Sequence, residues 1–246
     1  MLDYQAPPAL LADKTIAITG ATAGIGRAAA LSYAAHGAHL VLLGRDPVKL
    51  QALCDEIAAG GGGARPCCGV LDLALADQAS TRACVAALGL TRLDGLLLNA
   101  GVLGTLGPLA DIDEGEWLRV QQINVSANLW LLQACLPLLR RAPAASILLT
   151  SSGVGKRGRA GWGSYAVSKF ATEGMMQVLA DELAQTHIRV NCINPGATRT
   201  AMRAAAKPDE DPMTLRTPAD LMPLYLYLMG ADSEPQTGRS WDAQPK

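Results

Sequence analysis

Aromatic residues are scarce in this chain: one Phe, four Trp and five Tyr among 246 residues, or 4 %. Its core must be filled by aliphatic side chains and alanine, which a hydrophobic fraction of 50 % supplies. An excess of charge is missing too. Lys and Arg number 21 against 22 Asp and Glu, so the formal charge of −1 leaves no electrostatic footprint for nucleic acid or an anionic membrane. Three histidines and six cysteines (54, 67, 68, 84, 135 and 192) include no Cys-x-x-Cys and no metal-ligand spacing. The cysteines read as free thiols of a reducing cytoplasm, with no bound metal. No apolar run approaches the ~18 residues of a membrane span. The start, MLDYQAPPALLADK, lacks the basic and then apolar order of a signal peptide. No repeat or linker divides the chain, so one domain with a small-molecule partner is expected.

Short apolar runs alternate with helical patterns. Residues 1–13, with Pro7-Pro8, predict a loose arm. Residues 14–19 predict a buried strand, followed at once by Gly20-Ala21-Thr22-Ala23-Gly24-Ile25-Gly26 and a helix to about His36. Strand, glycine loop and helix in that order form a phosphate cradle. Gly20 permits the sharp turn, Gly24 lets a diphosphate approach the backbone, and Gly26 lets helix and strand pack closely. A second strand, 39–43, ends at Gly44-Arg45-Asp46-Pro47, which predicts a helix with Asp46 as N-cap and Pro47 at its first position. In dinucleotide folds an acid at the end of this strand holds the ribose hydroxyls of NAD. Gly44 stands there instead, and Arg45 suits a 2′-phosphate, which points to NADP(H) in preference to NAD(H). The plain alternative for Arg45 is a solvated loop charge. A flexible turn at Gly60 to Gly63, a third strand over 67–73 and a fourth over 93–98 follow. These strands are too apolar for a half-exposed sheet, so a parallel sheet covered by helices on both faces is expected.

A long helix is expected from Asp113 to Arg141, with Asn124 on an apolar face where a buried amide needs partners. Residues 147–150 then read as a strand that delivers Ser152 at its end. A Gly- and Arg-rich loop leads to Tyr165-Ala166-Val167-Ser168-Lys169, the opening of a helix running to about Gln185. A Tyr and a Lys four apart share one helix face. Moving a phenol from its usual pKa near 10 towards 7 takes about 4 kcal/mol. An ammonium about 4 Å away supplies roughly that at an effective dielectric of 20. Tyr165 therefore reads as a general acid/base, Lys169 as its partner and Ser152 as the holder of a substrate oxygen, against the plain alternative of an ordinary helix pair. Lys156, Arg157 and Arg159 in the intervening loop either meet an anionic substrate group or are solvated. A sixth strand over 188–193 runs into Asn194-Pro195-Gly196 and Ala197-Thr198-Arg199-Thr200. Residues 200–217 predict a mobile lid. A helix near 218–230 and a short polar segment, 239–242, complete the pattern.

These residues together resemble the short-chain dehydrogenase/reductase family along nearly the whole chain. TGATAGIG matches the family's Thr-Gly-x-x-x-Gly-x-Gly signature, and Asn99-Ala100-Gly101 its Asn-Ala-Gly motif, with Leu98 where a second Asn is more usual. FATEGMMQVLADE, RVNCINPG and TPADLMPLYLYLMG are most similar to an uncharacterised group of bacterial cytoplasmic oxidoreductases. The resemblance implies a single doubly wound (Rossmann) domain with a mostly parallel sheet of about seven strands. It implies a catalytic tetrad of Asn124, Ser152, Tyr165 and Lys169. Cofactor contacts would come from Gly20, Thr22, Gly24, Ile25, Gly26 and Arg45. Asp72 would hold the adenine, Leu73 would add a further cofactor contact, and Asn99, Ala100 and Gly101 would border the cofactor. Tyr165 and Lys169 would meet the nicotinamide ribose, and Pro195, Gly196, Thr198 and Thr200 the carboxamide.

The implied reaction is hydride transfer between NADP(H) and a carbonyl or secondary alcohol, with reduction as the expected direction. Tyr165 would exchange the proton, and Asn124 would hold a water that relays it through the ribose and Lys169. The family's pairing of such helices implies a homodimer or homotetramer through helices 113–141 and 162–186. A reading from another class is a non-catalytic nucleotide-sensing or scaffold protein on the same fold, for which the Tyr165–Lys169 pair has no use. A methyltransferase on a similar sheet leaves Tyr165, Lys169 and Arg45 unexplained.

Overall fold

The short, branched apolar runs become strands, as their length and burial require. The computed structural model describes residues 2–60 and 65–244, so the Gly61 to Gly63 part of the expected turn lies outside the described residues. The strands are β1 (Thr15–Thr19), β2 (His39–Gly44), β3 (Cys67–Val70), β4 (Gly95–Leu98), β5 (Ala145–Thr150), β6 (Ile188–Asn194) and β7 (Arg239–Asp242). They form one sheet in the order β3-β2-β1-β4-β5-β6-β7, and every pairing is parallel. The helices are α1 (Gly24–Ala35), α2 (Pro47–Ala59), α3 (Gln78–Ala87), α4 (Glu114–Gln121), α5 (Ala127–Leu139), α6 (Gly163–Glu182), α7 (Ala201–Ala206) and α8 (Met222–Met229). Among the described residues no helix is long and apolar enough to cross a membrane.

Side chains alternate between the two faces of each strand. Ile16, Ile18, Leu42, Leu97 and Leu148 pack with Ala29 and Tyr33 of α1, Leu50 and Leu53 of α2, and Leu224 and Leu228 of α8. Ala17, Leu43, Leu96, Leu98, Leu149 and Val190 pack with Val85 of α3, Leu131 and Cys135 of α5, and Met176 of α6. The single Phe, Phe170, is 47 % exposed, and apart from tyrosines such as Tyr33 and Tyr225 the core is aliphatic. Asp46 caps α2, accepting Val48 N at 3.0 Å and Lys49 N at 3.1 Å, with Pro47 first in the helix. Strand order reverses between β1 and β4, which opens a crevice at the carboxyl ends of these strands.

Three expectations are corrected. The arm is not loose: Leu11 is fully buried, Leu10 packs on Gly230, and Tyr4 donates to Asp232 at 2.7 Å with its ring edge-on to Tyr227. Apolar anchors around Pro7-Pro8 outweigh the breaker signal of the prolines. The long helix over 113–141 is interrupted, because Gln122–Ser126 form a π-helical turn between α4 and α5. The third strand stops at Val70. Asp72 then turns the chain by accepting Ala74 N on its own side chain at 3.0 Å, a local bond that competes with the ladder.

Candidate active site

The glycine loop is shaped by backbone clearances. Gly20 has φ +63°, and a Cβ there would stand 3.0 Å from Ala100 Cα. A Cβ on Gly26 would lie 2.3 Å from Gly20 O and 2.7 Å from Asn99 Nδ2, so only glycine lets α1 sit this close to the loop. Thr19 Oγ1 accepts Asn99 N and Ala100 N at 3.0 Å each and so ties the ends of β1 and β4 together. Gly24 opens α1, and its N-cap, Ala23, has no side chain to cap the first-turn N–H groups. Those groups and the positive end of the helix dipole are left for an anion.

A cavity of about 460 Å³ runs from this loop along the carboxyl ends of the strands. Gly20, Thr22, Gly24, Ile25, Arg45, Asp72 and Leu73 line one end, and Asn99, Ala100 and Gly101 the middle. Pro195, Gly196, Thr198 and Thr200 border it with Ser152, Tyr165 and Lys169 at the other end. Gly26 and Asn124 do not line it; one lies under the loop and the other behind the wall. Thr200, Ala201, Met202, Arg203 and Ala206 bring the expected lid segment over the cavity, and Arg203 is held in a bidentate pair with Glu210. Arg45 is exposed and has no carboxylate or other partner among the described residues. The nearby cations do: Arg27 pairs with Glu56, Lys49 with Asp46, and Arg65 with Asp55. Lys156, Arg157 and Arg159 do not line the cavity, and Lys156 is engaged with Asp242 Oδ1 at 2.9 Å and Ser240 O at 3.2 Å.

Asn124 sits in the π-helical turn, 1 % exposed. Its Oδ1 accepts Val102 N at 2.8 Å, and its Nδ2 donates to Val102 O and Ser168 Oγ at 2.9 Å each. Asn128 Nδ2 donates to the Asn124 carbonyl at 2.7 Å. The wide turn thus pins the loop after Asn99-Ala100-Gly101 to α6, and such turns concentrate at functional sites. Ser152 Oγ accepts Val154 N at a long 3.5 Å, and its hydroxyl is hydrogen-bonded with Tyr165. Lys169 Nζ donates to Thr150 O at 2.7 Å and lies 5.6 Å from the centre of the Tyr165 ring.

Tyr165 departs from the expectation of a phenol drawn towards 7. Burial pushes its phenol up to about 12, and a hydrogen bond with Ser152 only partly offsets this. The ammonium sits over the ring and binds Thr150 O, and it does not pull the phenol down in this state. Burial also holds Lys169 down to about 8, against weaker upward pulls from Cys192 and Glu173. Tyr165 is therefore a protonated donor at neutral pH.

A paired serine and tyrosine beside a buried lysine, at one end of a cavity that starts at an uncapped glycine-loop helix, can bind a dinucleotide and move a proton. The short chain dehydrogenase family profile matches residues 14–211. The chain belongs to this family. The uncharacterized oxidoreductase YciK of Escherichia coli K12 is 52 % identical over 246 residues, covering 99 % of this chain and 97 % of that protein. A chain from Shigella flexneri complexed with NADP and one from Escherichia coli complexed with NADPH are each 52 % identical to this one. Both superpose with a TM-score of 0.94, over 97 % of this chain and all of theirs. The seven-stranded parallel sheet is that of a short-chain dehydrogenase, an enzyme class acting on alcohol and carbonyl groups.

The sequence reading of this short-chain dehydrogenase missed several supports of the site. Glu173, one turn beyond Lys169 and 6 % exposed, accepts the hydroxyls of Ser151 and, at 2.8 Å, Ser240. The i,i+4 spacing from Lys169 was the available signal. Gly155 lies against the Lys169 backbone, where a Cβ would come within 2.7 Å of Lys169 O. Residues after β6 are held from the C-terminal side: Asn194 Nδ2 donates to Asp242 at 2.7 Å, and Gln244 Nε2 donates to Pro195 O at 2.8 Å and Ala197 O at 3.0 Å. Trp162 flanks Tyr165, ring centres 6.0 Å apart, and lines the cavity.

The depressed Lys169 makes a prediction about pH. Below about 8 both folded and unfolded chains carry this proton, and the cost of burying the ammonium is present in full. Between about 8 and the ordinary lysine value near 10.4 only the unfolded chain holds it. The stability contribution of this site therefore rises with pH through that window, by up to about 1.4 kcal/mol per unit. Urea unfolding of the ligand-free protein across the window should show this rise, and Lys169→Met should abolish it; parallel pH profiles for the two proteins contradict the assignment.

Proposed function

We propose that the protein is an NADP(H)-dependent carbonyl reductase in which Tyr165 is the proton donor. The observation that carries this reading is the placement of Ser152, Tyr165 and Lys169 at one end of a cavity whose other end presents Arg45 without a carboxylate partner. The donor set fits the cofactor. The uncapped N-terminus of α1 and the glycine loop would take the diphosphate, Arg45 and Thr22 the 2′-phosphate, and Asp72 and Leu73 the adenine. Asn99, Ala100 and Gly101 would border it, and Pro195, Gly196, Thr198 and Thr200 would hold the carboxamide. The complexes of the two 52 % identical chains with NADP and NADPH support the same choice. When bound, the nicotinamide supplies the hydride.

The chain's own residues do the rest. Ser152, hydrogen-bonded with Tyr165 at the cavity end, donates to the carbonyl oxygen and orients it. Tyr165, protonated in its buried setting, gives that oxygen its proton. The phenolate left behind gains the Ser152 hydroxyl as its stabilising partner. Lys169, which lines the cavity, would also bind the ribose hydroxyls of the cofactor. Asn124 fixes the Val102 loop and α6. These groups are set before the substrate arrives, so little reorganisation falls on the reaction step.

The direct test follows NADPH consumption over a panel of ketones, aldehydes and quinones. Tyr165→Phe should lower turnover on any accepted substrate by at least about a hundredfold, the usual worth of a general acid, while NADPH binding stays within a few-fold. Retention of more than about a tenth of the activity overturns the acid assignment.

Cofactor choice is tested separately. NADPH should bind at least about tenfold tighter than NADH, since a charge-assisted pair with the phosphate contributes ten- to hundredfold. Arg45→Ala should weaken NADPH alone. A Cβ on Gly44 would meet nothing closer than Leu50 Cδ2 at 3.4 Å, so Gly44→Asp fits and should repel the phosphate while binding the NADH ribose. Equal affinity of the unmutated protein for both cofactors contradicts the role of Arg45.

Assembly through α4–α5 and α6 belongs to the same reading. Leu118, Leu129, Val167, Phe170 and Val178 on these helices are 37–59 % exposed, an apolar face that a second copy would cover. Light scattering at micromolar concentration should give a dimer or tetramer, and Phe170→Glu should shift it towards monomer. A monomeric mass for the unmutated protein rejects the proposal.

A further inference from the structure

Four of the six cysteines gather at the β3 edge of the sheet, far from Tyr165 in sequence and unused by the chemistry above. Cys54 lies on the inner face of α2 and is 1 % exposed. Cys68 lies on β3, paired with Leu42 of β2, and is exposed. Their sulfurs stand 2.6 Å apart. A disulfide bond is about 2.05 Å long, so the two sulfurs stand roughly half an ångström from bonding distance. The other two thiols are placed differently: Cys67 points to the exposed side of the strand, and Cys84 on α3 is directed at Val70 O, 3.9 Å away.

We propose that Cys54 and Cys68 form a reversible redox pair that closes to an intrachain disulfide when a peroxide reaches the β3 edge. Cys68 is the site of attack because it is the accessible member. Its thiolate displaces hydroxide from hydrogen peroxide and becomes a sulfenic acid. The Cys54 sulfur then attacks the Cys68 sulfur and expels the sulfenic oxygen as water. In sum, two thiols and one hydrogen peroxide give one disulfide and two waters, with two electrons passed from sulfur to peroxide. A dithiol reductant reverses the reaction by exchange.

Burial and the Cys54 contact push the Cys68 thiol up to about 12, with Arg65 pulling modestly the other way. The pair is therefore slow at neutral pH and reacts faster as pH rises, since only the thiolate attacks. It behaves as a response to sustained oxidation, not as a fast sensor. The bond would join α2 to the sheet edge, next to the turns that carry Arg45 and Asp72 into the cavity.

The test uses the full-length protein, reduced, freed of reductant and exposed to hydrogen peroxide at neutral and raised pH. Thiol titration in denaturant should then lose two of the six thiols. Intact mass should fall by two hydrogens, peptide mapping should join Cys54 to Cys68, and dithiothreitol should restore both thiols. The oxidised form should also melt several degrees higher, since a loop is closed in the unfolded chain. Cys68→Ser, at an exposed position, and Cys54→Ala should each lose the cross-link, the first serving if the second proves unstable. Six titratable thiols after treatment, gain of oxygen without a cross-link, or a bridge from Cys54 to Cys67 overturns the proposal.

Discussion

A lysine only 5 % exposed to solvent, whose ammonium donates to the Thr150 carbonyl, is the constraint around which this site is arranged. Burying a charge is costly unless partners surround it, and the chain meets that cost with several separate elements. Thr150 turns its carbonyl towards Lys169 Nζ at the end of β5. Gly155 lets the loop beyond Ser152 lie directly on the Lys169 backbone, and Gly101 leaves room beside the ammonium, where a Cβ would stand 3.7 Å away. One turn further along α6, Glu173 places a carboxylate beneath it. The residual cost shows in the downward displacement of the lysine, and it disposes the site to accept a polar ligand beside Lys169.

The same economy of contacts governs the loops. Thr19 binds the first two amides after β4, and Asn124 clamps the next stretch by holding both the N–H and the carbonyl of Val102. Thr150 Oγ1 donates to Asn99 Oδ1 at 3.2 Å and joins β5 to the same node. The crevice walls are thus cross-linked strand by strand before any ligand is present, which is how a parallel sheet with diverging ends keeps a preorganised opening.

Much of this was legible in the sequence. Apolar runs bounded by glycine or polar turns located the strands within a few residues, and the parallel sheet followed from their lack of alternation. The glycine loop, Asp46 as cap and the Tyr165–Lys169 face were readable because local spacing determines them. What escaped depends on tertiary placement. Hydrophobic periodicity passes through a single wide turn almost unchanged, so 113–141 reads as one helix although Gln122–Ser126 is not α-helical. The direction of the Tyr165 displacement turns on burial and on where the Lys169 ammonium points, neither of which spacing reveals. Glu173 on its helix looks like any surface acid until Ser151 and Ser240 arrive from β5 and β7. The docked arm was missed for a like reason, since Tyr4 and Leu11 find their partners more than two hundred residues away or inside the core.

The stitching of residues 239–244 to the site has a consequence for biosynthesis. Ser240 reaches the carboxylate behind Lys169, Asp242 receives both Lys156 and Asn194, and Gln244 holds the carbonyls of Pro195 and Ala197. A nascent chain that has already released the glycine loop, Tyr165 and Lys169 from the ribosome still lacks these six residues. Its Pro195 and Ala197 carbonyls lack the Gln244 amide, and its Glu173 holds one hydroxyl instead of two. Assembly of the pocket floor is in this way deferred until residues 239–244 have been made, so a chain stalled shortly before residue 239 emerges with the chemistry encoded but its setting unfinished.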